Sequence, residues 1–347
     1  MIDDVEVSSR PEGSSQQRVL TVGIPTWNRR GFVVRLVRLL GEQLESETGR
    51  GAVEIVVCDN ASTDGTGDAV RELAQQGAMP LRYFRQPENL GAIRNVLSTL
   101  EHACGRYWTF LGDDDRYAEG ALGGIAALLE DSDAPVVHFV DDTPRTDAAT
   151  GRVGIADAAS YLYAIGNAGR FAVRSDLARS AVAMRGVSEF RTCWPQTEIA
   201  FLAMALSGDS APLLVARVPS AVSDDHGANT TYTSYYLAKT ALIDLQRVAV
   251  SVRHECGEEF YRRAESMVFT GARFNELFNA TVLYGVYDDE RVDRANCRKA
   301  LWTAARESEG LARRRFRMLA LLQSLPRSVT LALWWGAMAL RHSPGKA

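Results

Sequence analysis

The order in which apolar runs alternate between two periodicities constrains this chain more than any other feature. Residues 19–24, 53–58, 81–84, 106–111 and 136–140 are short, β-branched or aromatic runs of strand length. Between them lie stretches with helical spacing. Phe32, Val33, Leu36, Val37, Leu40 and Leu44 share one face; Ala69, Val70, Leu73 and Ala74 another; Ile93, Val96, Leu97 and Leu100 a third; Leu122, Ile125, Leu128 and Leu129 a fourth. Ser62 and Thr63 stand where a side chain could cap the second of these helices. Strand–helix alternation over about 120 residues implies an α/β sandwich around a mainly parallel sheet.

In such sheets ligands bind at the carboxyl ends of the strands. Four polar clusters stand there: Pro25-Thr26-Trp27-Asn28-Arg29, Asp59-Asn60-Ala61-Ser62, Gln86 to Arg94, and Asp113-Asp114-Asp115. Any one of them reads as a plain polar loop; together they describe one crevice. In the last cluster a buried aromatic run meets three adjacent carboxylates. A divalent ion would relieve their mutual repulsion, and hard oxygen ligands suit Mg²⁺ or Mn²⁺ with phosphates completing the shell. Gly-Asp-Asp is also ordinary turn chemistry, and on these residues alone both readings stand.

Several function classes are excluded or disfavoured. A net charge of −4 argues against a nucleic-acid partner. The first strand is followed by neither GxGxxG nor GxxxxGK[ST], which disfavours a dinucleotide fold or a P-loop hydrolase. A nucleotidyltransferase would show a Gly- and Lys-rich loop there, and Pro25 to Arg29 is not one. The five cysteines are scattered without a CxxC pair, which fits free thiols in a reducing compartment. Residues 1–17 are polar and acidic, reading as a disordered tail, not a signal peptide; a cytoplasmic protein is expected.

The first half resembles family 2 glycosyltransferases. The residues that carry the resemblance are Gly23-Ile-Pro-Thr-Trp-Asn-Arg29, Glu54 to Thr66, Asn89-Leu-Gly-Ala-Ile-Arg-Asn95 and Leu111-Gly-Asp-Asp-Asp115. The resemblance implies a GT-A fold: a Rossmann-like, mainly parallel sheet sandwiched by helices, here with a helical C-terminal extension. It implies an inverting, metal-dependent transfer of a sugar from a nucleoside diphosphate sugar to an acceptor hydroxyl. That acceptor would be a lipid-linked saccharide, as in polysaccharide assembly, or a small molecule. By the match, Pro25, Thr26, Asn28, Arg29, Asp59, Asn60, Arg94 and Asn95 line the nucleotide site. Asp113 faces the ribose side, Asp115 and Asp113 are the candidate ligands of Mg²⁺ or Mn²⁺, and Asp114 between them belongs to the nucleotide site. His226 is a candidate further metal ligand, although a polar turn is the better account of it.

The general base matches the family least well. Trp194-Pro-Gln-Thr-Glu198 lacks the family's Glu-Asp pair; Glu198 is the candidate, with Asp176 and Glu189 as alternatives. The missing pair keeps open a second function, a non-catalytic sugar-nucleotide-binding partner of another transferase. Residues 18–140 are expected to form the nucleotide-sugar half, 141–230 the acceptor half, and 231–347 a helical region. The resemblance fades past residue 210. Arg313 to Leu340 combines a basic cluster with Leu and Trp, which suits either a membrane interface on the inner face of the cell membrane or packing on the core or on a second subunit.

Overall fold

The computed structural model describes residues 7–8, 18–46, 51–76, 79–140, 150–218, 221–223, 243–269, 294–322, 324–326, 328–329 and 332. The chain divides into two compact units, Met1–His226 and Gly227–Ala347.

The first unit is built on a nine-stranded sheet. Its strands are β1 (Val7–Ser8), β2 (Leu20–Thr26), β3 (Val53–Asp59), β4 (Leu81–Arg85), β5 (Tyr107–Phe110), β7 (Val136–Val140), β8 (Gly151–Val153), β9 (Phe171–Arg174) and β10 (Leu213–Arg217). Their order is β1-β4-β3-β2-β5-β9-β7-β10-β8. β4, β3, β2 and β5 run parallel, whereas β9 is antiparallel to both β5 and β7. A separate two-stranded sheet pairs β6 (Asp115–Tyr117) with β11 (Ala221–Ser223). β3 is buried at every position, as expected of a strand covered on both faces.

The helices are α1 (Arg30–Ser46), α2 (Thr66–Gln75), α3 (Ala92–Glu101), α4 (Ala121–Glu130), α5 (Ile155–Ala158), α6 (Ser175–Arg185) and α7 (Pro195–Leu206). Val33, Leu36, Val37, Leu40 and Leu44 of α1 join Val70, Leu73 and Ala74 of α2 in one core with the sheet. α3 differs from its apolar pattern because it also buries Asn95, Ser98 and Thr99. Thr99 Oγ1 accepts from Trp108 Nε1 at 3.0 Å, and Ser98 Oγ accepts from Gln86 Nε2 at 2.8 Å. Gly23 is what lets α3 come this close, since a Cβ there would stand 2.5 Å from the Cβ of Thr99.

β9 lies between β5 and β7 in the one sheet. β8 pairs antiparallel with β10 at the other edge. Two expectations change. Val7 and Ser8, assigned to a disordered tail, form the edge strand and pair with β4; the rest of that tail lies outside the described residues. Ser62 and Thr63 do not cap α2. Gly65 is its N-cap, with Asp64 accepting from the Thr66 amide at 3.1 Å, because Ser62 is engaged by the neighbouring loops.

The second unit shows α8 (Leu245–Ser251), α9 (Arg253–Cys256), α10 (Glu258–Phe269), α11 (Arg294–Glu307) and α12 (Gly310–Leu322). Val248, Phe260, Leu301, Phe316 and Leu319 are buried. Among the described residues no helix is long and apolar enough to cross a membrane.

Candidate donor-binding site

The parallel register brings the carboxyl ends of β2, β3, β4 and β5 to one edge. Thr26 stands opposite Asp59, and Asp59 opposite Arg85. Chain segments leaving these ends are tied together by short side chains. Asn28 adopts a left-handed backbone (φ 52°). Its amide donates to Ser62 Oγ at 2.7 Å, and its Oδ1 accepts from the Thr63 amide at 2.7 Å. Ala61 is also left-handed (φ 62°), a costly conformation for alanine that concentrates strain in this loop. Asn60 holds the next loop: its Nδ2 donates to Asn89 Oδ1 and its Oδ1 accepts from the Leu90 amide, both at 2.8 Å. Asn95, on α3, donates to the carbonyls of Thr26 and Cys58 at 3.2 and 3.0 Å, so one side chain fixes the ends of two strands. Its Oδ1 is buried and has no hydrogen-bond partner among the described residues.

The acid triplet is divided by its partners. Asp113 is 7% exposed and accepts from Thr26 Oγ1 at 2.8 Å. Arg29 Nε lies 3.1 Å from Asp113 Oδ1, and Arg29 Nη2 donates to Asp114 Oδ2 at 3.0 Å. Phe32 lies under the same guanidinium, with its ring centre 4.4 Å away. Burial pushes the Asp113 carboxyl up to about 6, against the opposing pull of Arg29 and Thr26. Asp115 opens β6, and its amide donates to the Gly112 carbonyl at 3.0 Å.

Gly112 marks where the acids converge. A Cβ on it would stand 2.8 Å from Asp115 Oδ2 and 3.0 Å from Asp114 Oδ1. Two hard oxygens close to one point fit a Mg²⁺ or Mn²⁺ ion that takes its remaining ligands from a diphosphate and water. Among the described residues no group of three or more His, Cys, Asp or Glu is arranged to hold a metal. His226 lies outside the described residues. The strand leading to it ends at Ser223, directly opposite Asp115.

Other predicted residues take different positions. The Asp59 carboxylate is wholly buried and engaged at both oxygens. Oδ1 accepts from the Ser62 amide at 2.9 Å, and Oδ2 accepts from Tyr83 Oη at 2.7 Å and from Arg85 Nη1 at 3.1 Å. Burial and the Asp59 charge together push the Tyr83 phenol up, keeping it a donor. Arg85, partly exposed, is therefore the group this cluster presents, and the sequence reading passed over it by ending the strand at Phe84. A basic residue at a strand's carboxyl end was the available signal. Arg94 is exposed on the first turn of α3. Pro25 lies beside Thr26 in β2, half-buried.

The base candidates fare unequally. Glu198 sits in the first turn of α7, is 1% exposed, and faces Arg185 Nε at 3.1 Å. The N-terminus of that helix is tied to the carboxyl edge of the sheet: Gln196 Nε2 donates to the Gly166 carbonyl at 2.8 Å, and the Gly169 amide donates to the Phe110 carbonyl at 2.7 Å. Asp176 is ruled out by register. β9 runs antiparallel to β5 with Arg174 opposite Tyr107, so Asp176 emerges at the amino edge, where it pairs with Arg174. Glu189 is exposed and paired with Arg191 at 3.1 Å.

Comparison with known proteins bears on the sequence and the fold. The model of the family described as Glycosyl transferase family 2 matches residues 21–166. The abequosyltransferase RfbV of Salmonella typhimurium is 34% identical over 107 residues, 31% of this chain and 31% of that protein. The GalNAc(5)-diNAcBac-PP-undecaprenol beta-1,3-glucosyltransferase of Campylobacter jejuni is 30% identical over 106 residues, 30% of this chain and 33% of that protein. The chain thus matches about a third of the length of these curated relatives. Among solved structures, S. aureus TarS aligns with a TM-score of 0.55 at 16% identity, over 87% of this chain and 55% of that one. The mannosyltransferase PcManGT from Pyrobaculum calidifontis, solved with GDP-Man and Mn²⁺, aligns with a TM-score of 0.54 at 16% identity, over 96% and 89% of the two chains. At such identity the structural likenesses concern the fold, while the matched sequence spans β2 to the segment before β9 and includes all four polar clusters. Through residues 21–166, carried on a GT-A-like sheet, the chain is similar to glycosyl transferase family 2.

Proposed function

We propose that the chain is an inverting, metal-dependent glycosyltransferase that moves a sugar, hexosyl or deoxyhexosyl, from a nucleoside diphosphate sugar to an acceptor hydroxyl. The observation that carries this reading is the convergence of Asp114 and Asp115 over Gly112, next to the buried Asp113–Thr26–Arg29 cluster. A carboxylate pair converging on one point, backed by a cation already seated on the acids, suits a diphosphate leaving group.

In this reading Asp115 and Asp114 hold Mg²⁺ or Mn²⁺, which when bound stabilises the charge growing on the departing nucleoside diphosphate. Asp113 orients the ribose. Arg29 moves from the acids onto a phosphate, and the exposed Arg94 meets the same group. Arg85 and Asn60 border the base. His226, three residues beyond the strand position opposite Asp115, supplies a further metal ligand. Glu198 takes the acceptor's proton once Arg185 releases it. The names of the two curated relatives, one an abequosyltransferase and the other acting on an undecaprenol-linked saccharide, support sugar transfer to a lipid-linked saccharide over a small-molecule acceptor. The complex of PcManGT with GDP-Man and Mn²⁺ supports the donor class and the metal. The expected place of action is the cytoplasm, or the inner face of the cell membrane.

One observation favours a second reading, a sugar-nucleotide-binding partner without turnover. Glu198, the carboxylate nearest the family's base position, is buried against Arg185.

Thermal shift with a panel of nucleoside diphosphate sugars, with and without Mn²⁺, tests donor binding. Transfer or donor hydrolysis is then measured on the wild type and on Asp115→Ala. Turnover that vanishes in Asp115→Ala while the melting midpoint holds supports the enzyme. Unchanged turnover removes the metal assignment, and donor binding without turnover in the wild type selects the second reading.

A further inference from the structure

The second unit carries a surface feature that sugar transfer does not account for. α12 buries Ala312, Phe316, Leu319 and Ala320. At 100° per residue these four fall within an arc of about 100°. Leu311, Arg314, Arg317, Met318 and Leu321 fall within about 120° on the opposite side. All five are exposed, Leu311 by 45%, Met318 by 40% and Leu321 by 57%. Among the described residues, Val329 beyond the helix is 42% exposed as well. A solvent-facing helix side normally carries mixed charge. This one carries large apolar groups with two arginines between them and no acid.

The two components point to the same occupant. A protein groove would match the apolar groups with apolar groups and pair each arginine with a carboxylate at a fixed place. A bilayer of anionic lipid supplies apolar depth under the leucines and methionine, and a sheet of phosphate above it. Arginine side chains suit that boundary because their stems lie along apolar surface while their heads reach phosphate. The helix is about 20 Å long and, lying flat, would place all five groups at one depth. We propose that this face of α12 docks the protein on the surface of an anionic phospholipid bilayer, lying in the interface without crossing it.

The test is flotation of the full chain with phosphatidylcholine vesicles and with vesicles that also contain phosphatidylglycerol. Binding is expected only to the anionic vesicles, weakening as salt is raised. Arg314→Gln/Arg317→Gln should lower the affinity by about 25-fold, roughly fivefold per charge removed. Met318→Ser/Leu321→Ser should lower it about tenfold or more through lost apolar insertion. Both variants alter exposed positions, so circular dichroism and melting midpoint should match the wild type. The proposal is overturned by equal binding to neutral vesicles or by an arginine variant that binds like the wild type. It is also overturned if light scattering shows self-association that Met318→Ser/Leu321→Ser abolishes while no vesicle is bound, since a second copy of the chain would then be the occupant. None of these outcomes depends on the donor site, so they stand or fall separately from the transferase reading.

Discussion

Arg29 Nε lies 3.1 Å from Asp113 Oδ1, which places a cation from just beyond β2 against an acid from just beyond β5. The pair holds a carboxylate that is almost wholly buried, and its cost depends on pH. Asp113 titrates at about 6 in the folded chain, above its ordinary 3.8, because desolvation outweighs the help from Arg29 and Thr26. A carboxyl whose folded value is raised favours folding most when protonated, and that contribution is lost as pH rises through the folded value. In the metal-free protein, Asp113→Asn removes this dependence. Relative to wild type, its stability should shift in the variant's favour between pH 4 and pH 7, by up to about 3 kcal/mol. Urea melts of both proteins across that range measure the difference directly; parallel curves would reject the account.

Removing the cation should act in the opposite direction. Arg29→Met leaves Asp113 buried with Thr26 as its side-chain partner among the described residues and removes an ion pair from Asp114. Loss of one partner of a buried pair costs several kcal/mol when both are dry; with Arg29 about a third exposed, solvent reduces this to about 1–2 kcal/mol. The loss should be larger at pH 8 than at pH 5, where Asp113 is mostly protonated. The same variant should bind nucleoside diphosphates more weakly, since the cation proposed to follow the phosphate is gone. Calorimetric titration at pH 8 checks the affinity, and a loss of stability that is equal at both pH values would show that Asp113 is not the group responsible.

Gly112 is the most economical probe of the acid convergence. A methyl added there would stand 2.8 Å from Asp115 Oδ2, closer than a Cβ comes to such an atom without movement. The residue is half-buried and its φ is not left-handed, so the backbone tolerates alanine. Gly112→Ala should leave the melting midpoint within a few degrees of wild type while weakening Mn²⁺-dependent nucleotide binding by about tenfold or more. Metal-independent binding should persist. If both forms of binding fall together, the methyl has disturbed the nucleotide pocket and not the ion.

Much of the first unit was legible because its signals are local. β3 and β7 appear where their short, mostly apolar runs place them, and the carboxyl-edge rule alone puts Thr26, Asp59 and Asp113 at one edge. The parts that were not legible depend on partners distant in sequence. β9 carries a strand pattern, but its antiparallel insertion between β5 and β7 follows from no feature of Phe171–Arg174, and that direction decides that Asp176 lies at the wrong edge. β6 and β11 are three residues each, too short to show alternation, and each is ordered by the other across about 100 positions. Asp59 reads as an open ligand in sequence because nothing local reveals that Tyr83 and Arg85, two strand positions apart on the neighbouring strand, close over it.

The Arg185–Glu198 pair gives the most discriminating test of the second half. It joins the last turn of α6 to the first turn of α7, and α7 is buried along nearly its whole length, so this carboxylate is surrounded by protein. Arg185→Met strands the Glu198 charge in that setting and should cost about 3 kcal/mol. Adding Glu198→Met should recover most of the loss, because two apolar groups of similar volume replace the pair without a stranded charge. Glu198→Gln keeps a hydrogen-bonding oxygen facing Arg185 and should cost less than Arg185→Met. Its effect on transfer then separates two roles. If Glu198 is the acceptor's base, Glu198→Gln should lower turnover by about a hundredfold or more with donor affinity unchanged. If it serves only to hold the two helices, turnover should follow the small change in stability, and the Arg185→Met/Glu198→Met protein should regain activity as it regains its melting midpoint. A base can never be replaced by methionine, so activity in that double variant would assign the pair to architecture alone.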